Sequence, residues 1–145
     1  METENLSLNP NKRLRTTILT VDDDPGILLL LGLRLKAAGY EVVTAQSGEE
    51  ALAQIALSRP DLVISDLRMP GMDGMALFEH IHSTDPDLPF IMITADGSPL
   101  DASDAMARGI FCFMTKPFDS KQLLQQVAAA LQQETQVLIN TGTHR

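Results

Sequence analysis

The stretch Leu62-Val63-Ile64-Ser65-Asp66-Leu67-Arg68-Met69-Pro70-Gly71-Met72-Asp73-Gly74 decides the fold. Three aliphatic residues run directly into a carboxylate, and a Pro-Gly pair and a second glycine follow within eight positions. An apolar run bounded by turn residues reads as a buried strand of a parallel sheet. Asp66 then stands at the carboxyl end of that strand, where open α/β sheets bind their ligands. A lone aspartate there is ordinarily a solvated strand end, so its meaning depends on what the rest of the chain brings to it.

Working outward, the same pattern repeats on both sides. Thr17-Ile18-Leu19-Thr20-Val21 is a strand that ends in Asp22-Asp23-Asp24-Pro25-Gly26. Pro25 suits the first turn of a helix, and the preceding acid complements the helix dipole. That helix, about 25–38, repeats Ile27, Leu31, Leu35 and Ala38 on one face and closes at Gly39. Leu29 and Leu33 fall on its opposite side. Glu41 to Ala45 gives a second strand, and Ser47-Gly48-Glu49-Glu50 opens a helix to Leu57 with a capping-box pattern.

Beyond Asp66, Gly74 to about Ser83 is a helix with Met75, Leu77, Phe78 and Ile81 as its apolar residues. Pro89 to Thr94 is a fourth strand, and a short helix covers roughly 99–107. Ile110 to Met114 is a fifth strand ending at Thr115-Lys116-Pro117-Phe118. A last helix, about 120–133, buries Leu123, Leu124, Val127 and Leu131. Five strands alternating with five helices at short spacing imply a parallel sheet covered on both faces through right-handed crossovers. Residues 1–15, polar and aperiodic, read as a flexible leader, 16–133 as one domain, and 134–145 as a tail or the start of a linker.

Bulk properties narrow the function. The chain has 145 residues, 44% hydrophobic and 21% charged, as in ordinary globular domains. Its net charge of −8 lacks the basic face that nucleic acids require and disfavours anionic membranes. No apolar run approaches a bilayer span and no signal-peptide core opens the chain, so a cytoplasmic location is expected. The single Cys112, between Phe111 and Phe113, excludes an internal disulfide framework and reads as a packed thiol. His80 and His82 are two apart on a helix, point to different sides and do not form a metal pair.

Four features share the carboxyl edge of the sheet: the Asp22/Asp23/Asp24 cluster, Asp66, Thr94 and Lys116. Carboxylates crowded together raise each other's pKa unless a cation neutralises them. Mg²⁺ does so with a few carboxylates plus water and phosphate oxygens. Lys116 adds a second positive charge. A carboxylate held in this way, with a hydroxyl nearby, is equipped to accept a phosphoryl group as nucleophile.

The segments Thr20-Val21-Asp22-Asp23-Asp24-Pro25, Ser65 to Gly74, Ile93-Thr94-Ala95 and Thr115-Lys116-Pro117-Phe118 resemble a two-component response-regulator receiver domain (CheY-like) over about residues 16–133. The resemblance implies the flavodoxin-like (βα)5 three-layer sandwich, with strand order 2-1-3-4-5, and phosphorylation of Asp66 by a histidine kinase or phosphotransfer protein. It makes Asp23 a direct Mg²⁺ ligand, Asp22 a ligand acting mainly through water, and the Arg68 backbone carbonyl the remaining protein ligand. Asp24 falls outside that set. Lys116 pairs with phosphoryl oxygens, Pro117 follows a cis peptide bond, and Thr94 hydrogen-bonds the phosphoryl group. Phe113 matches the switch aromatic, and small Ala95 lets backbone approach the phosphate. The 99–118 face then reads out the change to an output domain or partner protein.

Among receivers the chain is most similar to those of the NtrC class of transcription activators. It is expected either to act alone through a partner or to be the receiver of a longer regulator, and the 99–133 face is the expected surface for any homodimer. Arg68 and Asp96, two residues beyond Asp66 and Thr94, are expected to pair and shield the acyl phosphate. Leu29 and Leu33 admit two readings, scattered surface leucines or a docking patch for the kinase's helical phosphodonor domain. A Mg²⁺-dependent phosphatase of the haloacid-dehalogenase type is the alternative from another class. Those enzymes place a second acid two residues after the nucleophile, where this chain has Arg68.

Overall fold

In the computed structural model, which describes residues 15–95 and 97–143 with side chains to residue 133, five strands form one parallel sheet. They are β1 (Thr17–Val21), β2 (Glu41–Ala45), β3 (Leu62–Ser65), β4 (Phe90–Thr94) and β5 (Cys112–Thr115), in the order β2-β1-β3-β4-β5. Every residue of β3 and β4 is buried, and so is all of β1 after Thr17. This two-sided burial is the reason their sequences are unbroken apolar runs. The edge strands β2 and β5 are only partly buried.

The helices are α1 (Pro25–Ala37), α2 (Gly48–Leu57), α3 (Gly74–Thr84), α4 (Pro99–Arg108) and α5 (Ser120–Thr143). Alternate strand residues feed two cores. Leu19, Val21, Val63, Phe90 and Met92 pack with Ala51 of α2, Leu77, Phe78 and Ile81 of α3, and Ala105 of α4. Ile18, Leu62, Ile64, Ile91, Ile93 and Met114 pack with Leu31 and Leu35 of α1 and Leu123, Val127 and Ala130 of α5. Hence α2, α3 and α4 cover one face of the sheet, and α1 and α5 the other. Burying one such leucine or isoleucine stabilises the fold by roughly 1.5–3 kcal/mol.

Several boundaries depart from the sequence reading. The core face of α1 is Leu28, Leu31, Gly32 and Leu35, whereas Ile27 is half-buried and Ala38 exposed, because five consecutive apolar residues leave the helical phase undetermined. β5 starts at Cys112 rather than Ile110, whose N–H instead bonds Ala105 O after the left-handed Gly109. Cys112 is half-buried rather than enclosed, and burial pushes its thiol above the usual value. The backbone of α5 continues ten residues beyond the expected end near 133. At Ser47 the hydroxyl accepts from the Glu50 N–H as expected, but the Glu50 carboxylate accepts from Gln46 N–H, one residue further back.

Of the expected leader only Arg15 lies among the described residues, and it pairs with Glu41 at 3.1 Å. Among the described residues no helix is long and apolar enough to cross a membrane.

Candidate functional site

Strand register builds the site. Val21 pairs with Ser65, so the next residues, Asp22 and Asp66, leave adjacent strands side by side. Backbone bonds hold both in place: Asp22 N–H to Ala45 O at 3.1 Å and Asp66 N–H to Val21 O at 2.9 Å. On the other flank Thr94 pairs with Thr115, and Lys116 N–H bonds Thr94 O at 2.9 Å. The Lys116–Pro117 peptide is cis.

These backbones bring the sequence-derived residues together. Lys116 Nζ donates to Asp22 Oδ2 at 2.8 Å and to Asp66 Oδ2 at 3.0 Å. The Asp66 side chain is 9% exposed, Asp22 3% and Lys116 15%, so the three charges are largely withdrawn from water. Asp22, Asp23 and Asp66 each offer a carboxylate oxygen within 4.8 Å of the others. Asp24 stands apart as the N-cap of α1, with Oδ1 accepting from Gly26 N–H at 2.8 Å.

The electrostatics favour an added cation. Burial pushes the Asp22 carboxyl above its ordinary value, against the opposing pull of Lys116 and of the Asp24 N–H. Burial also works to lower Lys116, but hydrogen bonds and charge from Asp22 and Asp66 outweigh it and hold the ammonium above its usual value. One lysine therefore serves two carboxylates and leaves Asp22 under-compensated. A cluster of hard oxygen donors with one such acid suits a divalent cation of the Mg²⁺ type.

The remaining positions are distributed as follows. The Asp66 carboxylate accepts from Arg68 N–H at 3.3 Å, which places the Arg68 backbone beside that carboxylate. Thr94 is buried and Ala95 exposed. The Phe113 ring is half-buried beside Gly97: a methyl group built there would lie 2.5 Å from Phe113 Cζ and 2.9 Å from Thr94 Cγ2. Thr94 and Phe113 thus flank a position with no room for a side chain. Asp96 lies outside the described residues, and the Arg68 guanidinium meets Asp101 of α4 at 3.2 Å.

Sequence reasoning missed three contributors. Gly74 opens α3 directly against the site: a methyl group there would lie 2.8 Å from Met92 Sδ, 2.9 Å from Leu67 Cα, and closer still to the Asp66 carbonyl oxygen. Gly48 leaves space for Met72, which pins the loop after β3 onto α2. Asp101 completes a capping box with Ser98, a spacing legible as Ser-x-x-Asp, but its contact with Arg68 spans 33 residues and leaves no local signal.

Comparison with known proteins is consistent with this geometry. A family model described as the response regulator receiver domain matches residues 18–128. The chain is 53% identical over 116 residues to the transcriptional regulatory protein GlrR of Escherichia coli K12, covering 80% of this chain and 26% of GlrR. It is 42% identical over 118 residues to the DNA-binding transcriptional regulator NtrC of Salmonella typhimurium LT2, covering 81% and 25%. The chain thus spans about a quarter of the length of these relatives. Among solved structures, NtrX from Brucella abortus superposes with a TM-score of 0.84 at 32% identity, covering 90% of this chain and 30% of NtrX. A receiver domain protein from Clostridium thermocellum superposes at 0.80 with 30% identity, covering 84% and 98%.

Proposed function

Since the chain belongs to the response-regulator receiver family, whose domains are phosphoacceptor signalling modules rather than turnover enzymes, we propose that Asp66 accepts a phosphoryl group from a histidine kinase or phosphotransfer protein. The observation that carries this reading is the shared Lys116 ammonium, 2.8 Å from Asp22 and 3.0 Å from Asp66 at the open edge of the sheet. An Asp66 oxygen attacks phosphorus, the bond to the donor nitrogen breaks, and the electron pair leaves with the donor imidazole. Lys116 then turns from the carboxylate to the charge developing on the transferred oxygens.

Asp22, Asp23, Asp66 and the Arg68 carbonyl are the groups that would hold Mg²⁺. Bound there, the ion supplies charge neutralisation for both the acids and the incoming phosphoryl group. Thr94 contributes its hydroxyl to the phosphoryl group, and the pull on its loop reaches Phe113, whose ring shares with Thr94 the space over Gly97. The change is thereby passed to the 99–118 face.

Two features bear on partners. Leu29 and Leu33 of α1 are 66% and 61% exposed, on the helix that starts beside the acidic pocket, where they are available to a docking phosphodonor domain. On α4, Leu100 and Met106 are exposed, within the face assigned to output contacts or self-association. The relatives are transcriptional regulators, so control of transcription by a cytoplasmic regulator is the output this reading carries.

The test is intact mass after incubation with acetyl phosphate, with and without Mg²⁺. The expected result is a Mg²⁺-dependent gain of one phosphoryl group, about 80 Da, that is absent in Asp66→Asn. A folded wild type that gains no mass under any condition overturns the reading.

A further inference from the structure

The Arg68 side chain, expected from the sequence to shield the acyl phosphate, leaves the loop two residues after the phosphoacceptor, and its own N–H touches Asp66. Among the described residues its guanidinium gives one hydrogen bond, to Asp101 Oδ2 at 3.2 Å, with the two side chains 53% and 35% exposed. The same Oδ2 accepts from Ser98 N–H at 3.1 Å, and Asp101 N–H bonds Ser98 Oγ at 3.1 Å. The capping box at the start of α4 therefore remains intact if Arg68 departs. Those bonds from Ser98, with a smaller share from Arg68, hold the Asp101 carboxyl below its ordinary value.

We propose that Arg68 is a phosphoryl-binding side chain held in reserve by Asp101, which acts as its positioning residue; this rests on the phosphoacceptor reading of Asp66. A one-bond, half-exposed ion pair is weak and easily exchanged. A phosphoryl group on Asp66 brings nearly two negative charges and three acceptor oxygens to the root of the arginine, and a guanidinium fits such oxygens with paired N–H groups. Arg68 then leaves Asp101 and lies over the outer side of the phosphoryl group. Hydrolysis requires water to bond to phosphorus there as the Asp66 oxygen–phosphorus bond breaks and its electron pair returns to the carboxylate. Arg68 obstructs that approach, and α4 loses its tie to the β3–α3 loop at the same moment.

The experiment follows phospho-Asp66 decay by intact mass, after acetyl phosphate and Mg²⁺ loading of the full chain, in wild type, Asp101→Asn, Arg68→Ala and the double variant. Asparagine keeps the carbonyl that accepts from Ser98 and removes the charge that competes for Arg68. The expected results are a half-life lengthened up to about fivefold in Asp101→Asn, shortened in Arg68→Ala, and unaffected by Asp101→Asn once Arg68 is alanine. The Ser98 amide resonance of phosphorylated wild type also moves toward its position in unphosphorylated Arg68→Ala. An Asp101→Asn half-life equal to wild type, an equal lengthening in both backgrounds, or a Ser98 resonance unmoved in the phosphorylated protein overturns the role of Asp101. Failure of wild type to gain any phosphoryl mass removes the phosphoacceptor reading itself, and the proposal with it.

Discussion

Two glycine-to-alanine substitutions in this chain are predicted to have opposite signs, and the difference tests how tightly the site is built. At Gly74 the added methyl meets the Asp66 carbonyl oxygen and Leu67 Cα, both backbone, and Met92 Sδ at 2.8 Å. Backbone atoms of a buried loop cannot rotate aside, so the cost lies at the upper end of overpacking, about 3 kcal/mol. For a domain of this size that lowers Tm by roughly 10 °C. At Gly32, inside α1, the same methyl meets nothing within 4 Å. There the substitution removes the entropic penalty of a helical glycine and stabilises by about 0.5–1 kcal/mol, or roughly 2–3 °C. The assay is thermal unfolding by circular dichroism on both variants, with acetyl-phosphate labelling as the functional readout. Gly74→Ala also displaces the Asp66 carbonyl and reduces labelling, whereas Gly32→Ala leaves labelling at the wild-type level. A Gly74→Ala protein that melts with wild type, or a Gly32→Ala protein destabilised by a comparable amount, refutes the steric reasoning.

Three further outcomes follow from the pocket and its switch. Asp22 has a raised folded pKa, so its stabilising contribution is present below the unfolded value near 3.8 and is lost as pH rises through the folded value. Asp22→Asn therefore raises Tm at neutral pH in Mg²⁺-free buffer, by roughly 0.5–2 kcal/mol in stability, while Mg²⁺ stabilises wild type more than the variant; calorimetry with and without the ion checks both. Lys116→Met leaves Asp22 and Asp66 facing each other without a cation and costs about 1–3 kcal/mol in Mg²⁺-free buffer, partly restored by Mg²⁺, as denaturant titrations will show. Gly97→Ala drives a methyl into the Phe113 ring at a cost of about 1–3 kcal/mol, and costs less in a Phe113→Ala background, where only the 2.9 Å approach to Thr94 Cγ2 remains, a coupling measured by a double-mutant cycle.

The parts of the structure legible in the sequence are those that burial on both sides makes unambiguous. Leu62-Val63-Ile64-Ser65 and Phe90 to Thr94 are wholly buried, and their apolar runs give strands at nearly the right limits. Asp22, Asp66, Thr94 and Lys116 could be placed on one edge because parallel strands share a direction. The phase of α1 was not legible, since Ile27 to Leu31 is apolar at every position and any helical face fits it. The length of α5 was hidden by Gln132-Gln133-Glu134, a polar run that resembles an ending although glutamine and glutamate are good helix formers. The Arg68–Asp101 contact depends on how the loop after β3 meets the first turn of α4, and no spacing encodes it. The close approach at Gly74 is likewise a property of packing, not of local pattern.

The claim on which everything else depends is that Asp66, and not its neighbours Asp22 or Asp23, carries the phosphoryl group. An acyl phosphate is reduced by borohydride to the alcohol, so reduction after acetyl-phosphate loading, followed by peptide mass spectrometry, marks the acceptor covalently. The account predicts homoserine at position 66 alone, formed only when Mg²⁺ was present during loading. Homoserine at position 22 or 23, or none in a protein that remains folded, contradicts it.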